Sequence, residues 1–181
     1  DHQVDNRKLA AALRLAAEAA GASINEHRPV AAISSGGGRV EIAYAPSNPN
    51  IVYATVQINR GDVYRSTDGG ENFSRVNTGT EYMGKQGWYN NSVWVNPQDE
   101  NFVIVGGVHL LRSTDGGSNW TKLGLENTEH IADIVINPNN PNIIYVAAPG
   151  PLWSSSKDRG LYKSTDAGKT FDKILYINED E

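Results

Sequence analysis

Ser66-Thr67-Asp68-Gly69-Gly70 recurs as Ser113-Thr114-Asp115-Gly116-Gly117 and again as Ser164-Thr165-Asp166-Ala167-Gly168. Phe73, Trp120 and Phe171 each stand three residues after the last glycine of a copy, and the copies lie 47 and 51 residues apart. A second motif keeps step with the first: Pro46-Ser47-Asn48-Pro49-Asn50, Pro97-Gln98-Asp99-Glu100-Asn101 and Pro138-Asn139-Asn140-Pro141-Asn142. Two motifs in the same order, three times each, mark a repeat architecture in which each unit is one supersecondary module.

Each repeat reads as four short strands. The alternating or β-branched runs are 39–45, 51–56, 62–66 and 72–76, then 92–96, 102–106, 109–113 and 119–123, then 131–137, 143–147, 161–164 and 170–176. They are rich in Val, Ile, Tyr and Trp and are bounded by Gly, Pro, Asn and Asp, the signature of strands joined by turns. Short strands at even spacing imply antiparallel meanders arranged radially. In the first motif Asp can accept hydrogen bonds from backbone amides further along, Gly supplies positive φ, and the aromatic returns into the sheet. Ser66, Asp68, Gly70 and Phe73, with Ser113, Asp115, Gly117 and Trp120 and with Ser164, Asp166, Gly168 and Phe171, are therefore expected to be structural. A catalytic site seldom occurs three times in one chain.

The pattern S-T-D-G-G-x-x-[FW] resembles the Asp-box, or bacterial neuraminidase repeat. That repeat is found in sialidases, xyloglucanase-type glycoside hydrolases, sortilin-type receptors and a photosystem assembly factor, all of them β-propellers. The resemblance covers residues 38–176 and departs from the pattern at Ala167, where the other two copies have Gly. A closer likeness runs over residues 121–180. There Gly124-Leu125, Thr128-Glu129-His130-Ile131, Tyr145-Val146-Ala147-Ala148, Leu152-Trp153 and Arg159-Gly160-Leu161-Tyr162 are similar to large secreted bacterial propellers of sortilin-like or glycosyl-hydrolase-like type. The resemblance implies an all-β Asp-box propeller with blades near 38–80, 88–126 and 129–178.

Residues 4–20 read as a helix preceding the blades, capped by Asp5 or Asn6, with Leu9, Leu13 and Ala17 on one face. Residues 1–37 are thus a helix and linker, and 38–181 the propeller. Three blades do not close a ring, which takes about four to eight. The chain is expected to be part of a larger propeller, its remainder supplied by further sequence or by a partner chain. It starts at Asp1 rather than Met and ends on Asn178-Glu179-Asp180-Glu181, which reads as a cut loop.

Composition narrows the function. Sixteen Lys+Arg against 21 Asp+Glu give a net charge of −5, which offers no general attraction to nucleic acid or to an anionic membrane. No apolar run approaches the roughly 18 residues of a transmembrane helix. The absence of cysteine excludes disulfides, thiolate metal sites and cysteine nucleophiles. The four histidines show no metal-ligand spacing, so no metal site and no cofactor is assigned; a calcium ion held by loop aspartates and carbonyls is compatible with the residue types.

In a four-stranded meander the two repeated turns share one face, and the variable loops share the other, where function is grafted. Loops 77–91 and 149–160 hold Tyr82, Lys85, Trp88, Tyr89, Trp153, Lys157, Asp158 and Arg159. Tyr82, Trp88, Tyr89, Glu129, His130, Trp153 and Arg159 are the candidate binding residues, because aromatic groups beside polar ones stack on sugar rings or anchor a protein; packing between blades is the alternative for Trp88 and Trp153. Five residues before each repeated proline stand Glu41, Ser92 and Asp133. Glu41, Asp133 or Asp158 would be the acid or base of a glycosidase, with polar channel lining as the alternative. The sialidase arginine cluster and tyrosine nucleophile have no counterpart: Arg65, Arg112 and Lys163 fall in the repeat register and read as structural. The first functional reading is a non-catalytic module, secreted, periplasmic or on the cell surface, that binds a protein or glycan through its variable-loop face. The alternatives are a glycoside hydrolase of sialidase or xyloglucanase type, and an assembly factor for a membrane complex.

Overall fold

The computed structural model describes residues 34–35, 38–77, 80–87 and 90–180. The expected helix at 4–20, and Trp88 and Tyr89, lie outside the described residues. Thirteen strands follow one another: β1 (Ser34–Ser35), β2 (Gly38–Ala45), β3 (Asn48–Val56), β4 (Asp62–Ser66), β5 (Ser74–Arg75), β6 (Ser92–Asn96), β7 (Asp99–Gly106), β8 (Leu110–Ser113), β9 (Thr121–Lys122), β10 (Asp133–Ile136), β11 (Ile144–Ala148), β12 (Gly160–Ser164) and β13 (Asp172–Leu175). Among the described residues the only helical turn is a 3-10 turn at Glu126–Thr128.

Every sheet is an antiparallel meander in sequence order: β2-β3-β4-β5 with β1 added at the edge of β2, then β6-β7-β8-β9, then β10-β11-β12-β13. The register repeats with the sequence. Val52, Val103 and Ile144 pair with Ser66, Ser113 and Ser164, and on their other side with Tyr44, Val95 and Ile136. The first strands of the three sheets are neighbours, β6 lying between β2 and β10, so the sheets fan out from a shared inner edge. This is the blade arrangement of a propeller.

Two strands start three residues earlier than the sequence reading places them. β3 and β7 begin at Asn48 and Asp99, because Ala45 pairs with Asn48 and Asn96 with Asp99 across two-residue turns. In the third repeat the turn is wider, held by the Asn137 amide on Ile143 O at 3.0 Å, and β11 starts later. The fourth strands are shorter than expected. Asn72 and Asn119 give their amides to Asp68 and Asp115 at 2.9 and 2.8 Å, so they belong to the turn and not to a strand.

The box itself is the same in each blade. Ser66, Ser113 and Ser164 donate to the following Asp at 2.7, 2.8 and 2.8 Å and accept from the Gly70, Gly117 and Gly168 amides at 2.9, 2.8 and 2.8 Å. The Gly69, Gly116 and Ala167 amides donate to Asn50, Asn101 and Asn142 O at 2.8, 3.0 and 3.0 Å, clasping the box to the Pro/Asn turn. The two repeated turns therefore share one end of the sheets. These hydrogen bonds hold the carboxyls below the usual range: the Asn119 side chain and amide bring Asp115 to about 2, and the Asn72 and Thr170 amides lower Asp68 and Asp166. A folded-state pKa below the unfolded value contributes stability above the unfolded pKa and loses it as pH falls through the folded one. Melting temperature is expected to drop between about pH 4 and pH 2, and Asp115→Asn to flatten that drop; an unchanged slope in acid thermal melts would show that the carboxylate is not held by these bonds.

Ala167 occupies the box position at φ 61°, where Gly69 and Gly116 have 76° and 73°. A side chain in the left-handed region costs roughly 1–2 kcal/mol, partly offset by the entropy a glycine adds to the unfolded chain, about 0.4–1 kcal/mol. Ala167→Gly is expected to stabilise the chain by about 0.5–1 kcal/mol in thermal melts; no gain would place the strain elsewhere.

Side chains alternate into two inter-blade cores. Tyr53 and Val63 of the first blade pack with Val95, Val103, Val105 and Leu111 of the second. Ile104 and Leu110 of the second pack with Ile136, Ile144 and Val146 of the third. A cation row crosses the same interfaces. Arg65 stands 5.9 Å over Tyr53 and donates to Asn101 Oδ1 at 3.3 Å in the next blade. Arg112 stands 5.8 Å over Phe102 and donates to Ala167 O at 2.7 Å in the blade after. Lys163 stands 5.7 Å over Tyr145, but beyond it no further blade follows among the described residues. On that far side Val135, Leu175 and Ile177 are 55%, 54% and 65% exposed, and Leu161, Leu175 and Ile177 line a groove of about 270 Å³. The three blades are a fragment of a larger propeller.

Candidate functional site

The inner strands end at the Pro/Asn turns, so their first residues lie at the opposite end, with the variable loops. Glu41 pairs with Thr55, Ser92 with Gly106 and Asp133 with Ala147. These are the same rung of three neighbouring inner strands, as the sequence spacing implies. By the two-residue period they share a strand face with Ala43, Trp94 and Val135. Asp133 is exposed, and its Oδ1 accepts from the Ile134 amide at 2.8 Å. Glu41 is half-buried.

The loops at this end interlock. The Met83 amide donates to Arg60 O at 3.0 Å, the His109 amide to Tyr82 O at 2.9 Å and the Ile131 amide to Gly107 O at 2.8 Å, so each loop entering a blade caps the blade before it. Tyr82 is fully buried in this cap. Its hydroxyl donates to Asn91 Oδ1 at 3.2 Å, and Asn91 Nδ2 in turn donates to Thr55 O at 3.2 Å. Burial pushes the Tyr82 phenol up from its ordinary value. His130 is buried in the equivalent cap one blade on, whereas Glu129 beside it is exposed at φ 58°. Burial, reinforced by the Lys122 charge, holds the neighbouring His109 imidazole below its usual value. Among the candidate binding residues, Tyr82 and His130 are thus placed in packing and Glu129 at the surface.

Sequence reading missed Asn77, which is buried at the start of the second blade's entry loop. Its Oδ1 accepts from the Val63 amide at 2.5 Å, and its Nδ2 donates to Gly61 O and Thr80 Oγ1 at 2.7 and 2.5 Å. An amide can bond both ways, which a loop crossing the end of a strand needs.

The loop 149–159 of the third blade is held differently. Arg159 donates Nε to Glu179 O at 2.7 Å, Nη1 to Pro149 O, and Nη2 to Pro151 O and Ser154 O at 2.7 and 2.8 Å. Asp158 is half-buried, with its carbonyl accepting from the Tyr162 hydroxyl at 2.8 Å. Trp153, at the loop tip, is 93% exposed, and Leu152 beside it 45%. The structure therefore brings Glu41, Asp133, Asp158 and Trp153 to one end of the sheets. Arg159, half-buried, donates to four main-chain carbonyls of this loop and of the chain after β13. Among the described residues no three His, Asp or Glu side chains cluster so as to hold a metal ion, and no helix is long and apolar enough to cross a membrane.

The sequence profile described as Sortilin-Vps10 (sortilin, neurotensin receptor 3) matches residues 61–179. A xyloglucanase of Hypocrea jecorina is 29% identical over 78% of the chain, and a probable oligoxyloglucan-reducing end-specific xyloglucanase of Neosartorya fischeri is 27% identical over 76%. The chain spans 18% of the length of each. Among solved structures, the GH74 xyloglucanase from Xanthomonas campestris has a TM-score of 0.60 at 22% identity, over 76% of this chain and 23% of that one. YCF48 from Cyanidioschyzon merolae has a TM-score of 0.54 at 21% identity, over 84% of this chain and 43% of that one. At those identities the two structures speak to fold alone, whereas the profile match covers well over half of the residues: the chain belongs to the Sortilin-Vps10 family, and its sheets are blades of a sortilin-like Asp-box β-propeller.

Proposed function

We propose that these blades form part of an exported propeller that hydrolyses a xyloglucan-type polysaccharide, with the substrate lying across the variable-loop end. The observation that carries this is the placement of Glu41 and Asp133 on one rung of the first and third inner strands, with exposed Trp153 at the same end. Two carboxyl groups flanking a glycosidic bond suffice for its hydrolysis. One protonates the leaving oxygen, and the other activates water or attacks the sugar directly. Asp158, in the loop between β11 and β12, is a further carboxyl at the same end. The similarity to xyloglucanases supports the substrate class.

The second reading is a non-catalytic glycan- or protein-binding module, as the family match suggests; a nearly fully exposed tryptophan on a tied loop is what such a module would present. Incubating the intact propeller with xyloglucan, with other β-glucans and with sialosides separates the two. Release of new reducing ends from xyloglucan supports hydrolysis. Retention on immobilised xyloglucan without release leaves the binding module.

A further inference from the structure

Arg159 gives most of its hydrogen-bonding capacity to main-chain carbonyls of its own loop and of the chain after β13. A guanidinium has five N–H donors in a fixed fork. Four of them are spent here, on Pro149, Pro151, Ser154 and Glu179 O. The loop closes around the side chain. Gly150 has φ 73°, and a Cβ there would come within 2.7 Å of Arg159 Cγ. The same carbonyl of Glu179 also accepts from the Ser156 amide at 2.8 Å, and the Arg159 amide donates to Ser156 O at 3.3 Å. The segment carrying Leu152 and Trp153 is thus fixed at both ends and tied to the chain leaving β13.

We propose that Arg159 is a positioning residue that holds the main chain of the loop carrying Trp153, so that the indole is presented outward to the flat face of a sugar ring. This rests on the glycan reading of the variable-loop end. A loop whose main chain is fixed before binding avoids the ordering cost that a mobile loop would incur on each encounter. Lysine cannot replace the fork, since it offers a single point of donation.

The test uses the intact propeller and a xyloglucan oligosaccharide as probe. Trp153→Ala is expected to weaken binding about tenfold, a stacking contribution of about 1.4 kcal/mol, and to raise KM with kcat unchanged. Arg159→Lys is expected to weaken binding about fivefold. The double variant is expected to bind no more weakly than Trp153→Ala alone, because the arginine acts through the indole. Fluorine-labelled Trp153 followed by NMR reads the clamp without any ligand: its signal is expected to narrow toward that of free tryptophan in Arg159→Lys. An unchanged fluorine signal, or additive losses in the double variant, overturns the positioning role. Unchanged binding in Trp153→Ala overturns the sugar platform, while the fluorine measurement still decides the clamp separately from hydrolysis.

Discussion

Asp133→Asn in the intact propeller is expected to cut xyloglucan turnover by about 100- to 10,000-fold, the range that a positioned acid or base contributes. The fold is expected to survive the change. The one described hydrogen bond of the Asp133 side chain, from the Ile134 amide at 2.8 Å, can be accepted equally by an asparagine carbonyl. Glu41→Gln should fall in the same range. Ser92→Ala is the control, since Ser92 occupies the same rung in the blade between them and brings no carboxyl. Steady-state rates with unchanged melting temperatures check the prediction. Full activity in Asp133→Asn would remove this residue from the chemistry and leave Asp158 as the carboxyl to test.

Ile104→Ala is expected to destabilise the chain by about 3–4 kcal/mol, and Ile104→Val by about 1 kcal/mol. Ile104 is fully buried where the second and third blades meet. Truncation there removes apolar area and leaves a hole bounded by Ile136, Ile144 and Val146, which belong to another sheet and cannot follow the missing atoms inward. Such a loss is a large share of the roughly 5–15 kcal/mol that separates a folded domain from its unfolded chain. Denaturant midpoints measure it. A loss under about 1 kcal/mol for the alanine variant would mean that the two blades do not close on each other at this point.

The repeats carried the fold openly. Serine, aspartate and glycine at fixed offsets specify a turn through local hydrogen bonds, and local rules are what a sequence displays. The strand pairing followed because the alternation of Val, Ile and Tyr matches one buried face per neighbour. Tyr82 was harder to read. An aromatic between Glu81 and Met83 in a polar loop looks solvent-facing, and only Gly61, where a Cβ would lie 2.6 Å from the Tyr82 ring, records how closely another loop approaches. Arg159 was hidden for a related reason. The prolines at 149 and 151 have no amide to offer and their loop cannot satisfy its own carbonyls, so a distant guanidinium does it. Neither relation has a fixed sequence offset. Glu41, Ser92 and Asp133 were legible because the rung follows from the repeat, whereas the chemistry at that rung does not.

The uncovered side of the third blade also bears on synthesis. Each blade hides one flank against its predecessor at once, but the other stays wet until the following blade, 47 to 51 residues later by the box spacing, has left the ribosome. At about 5–20 residues per second that interval is about 2 to 10 seconds. Nascent propellers of this kind therefore grow with a sticky leading flank, and a translational pause placed just after a box would prolong the period in which two growing chains can adhere.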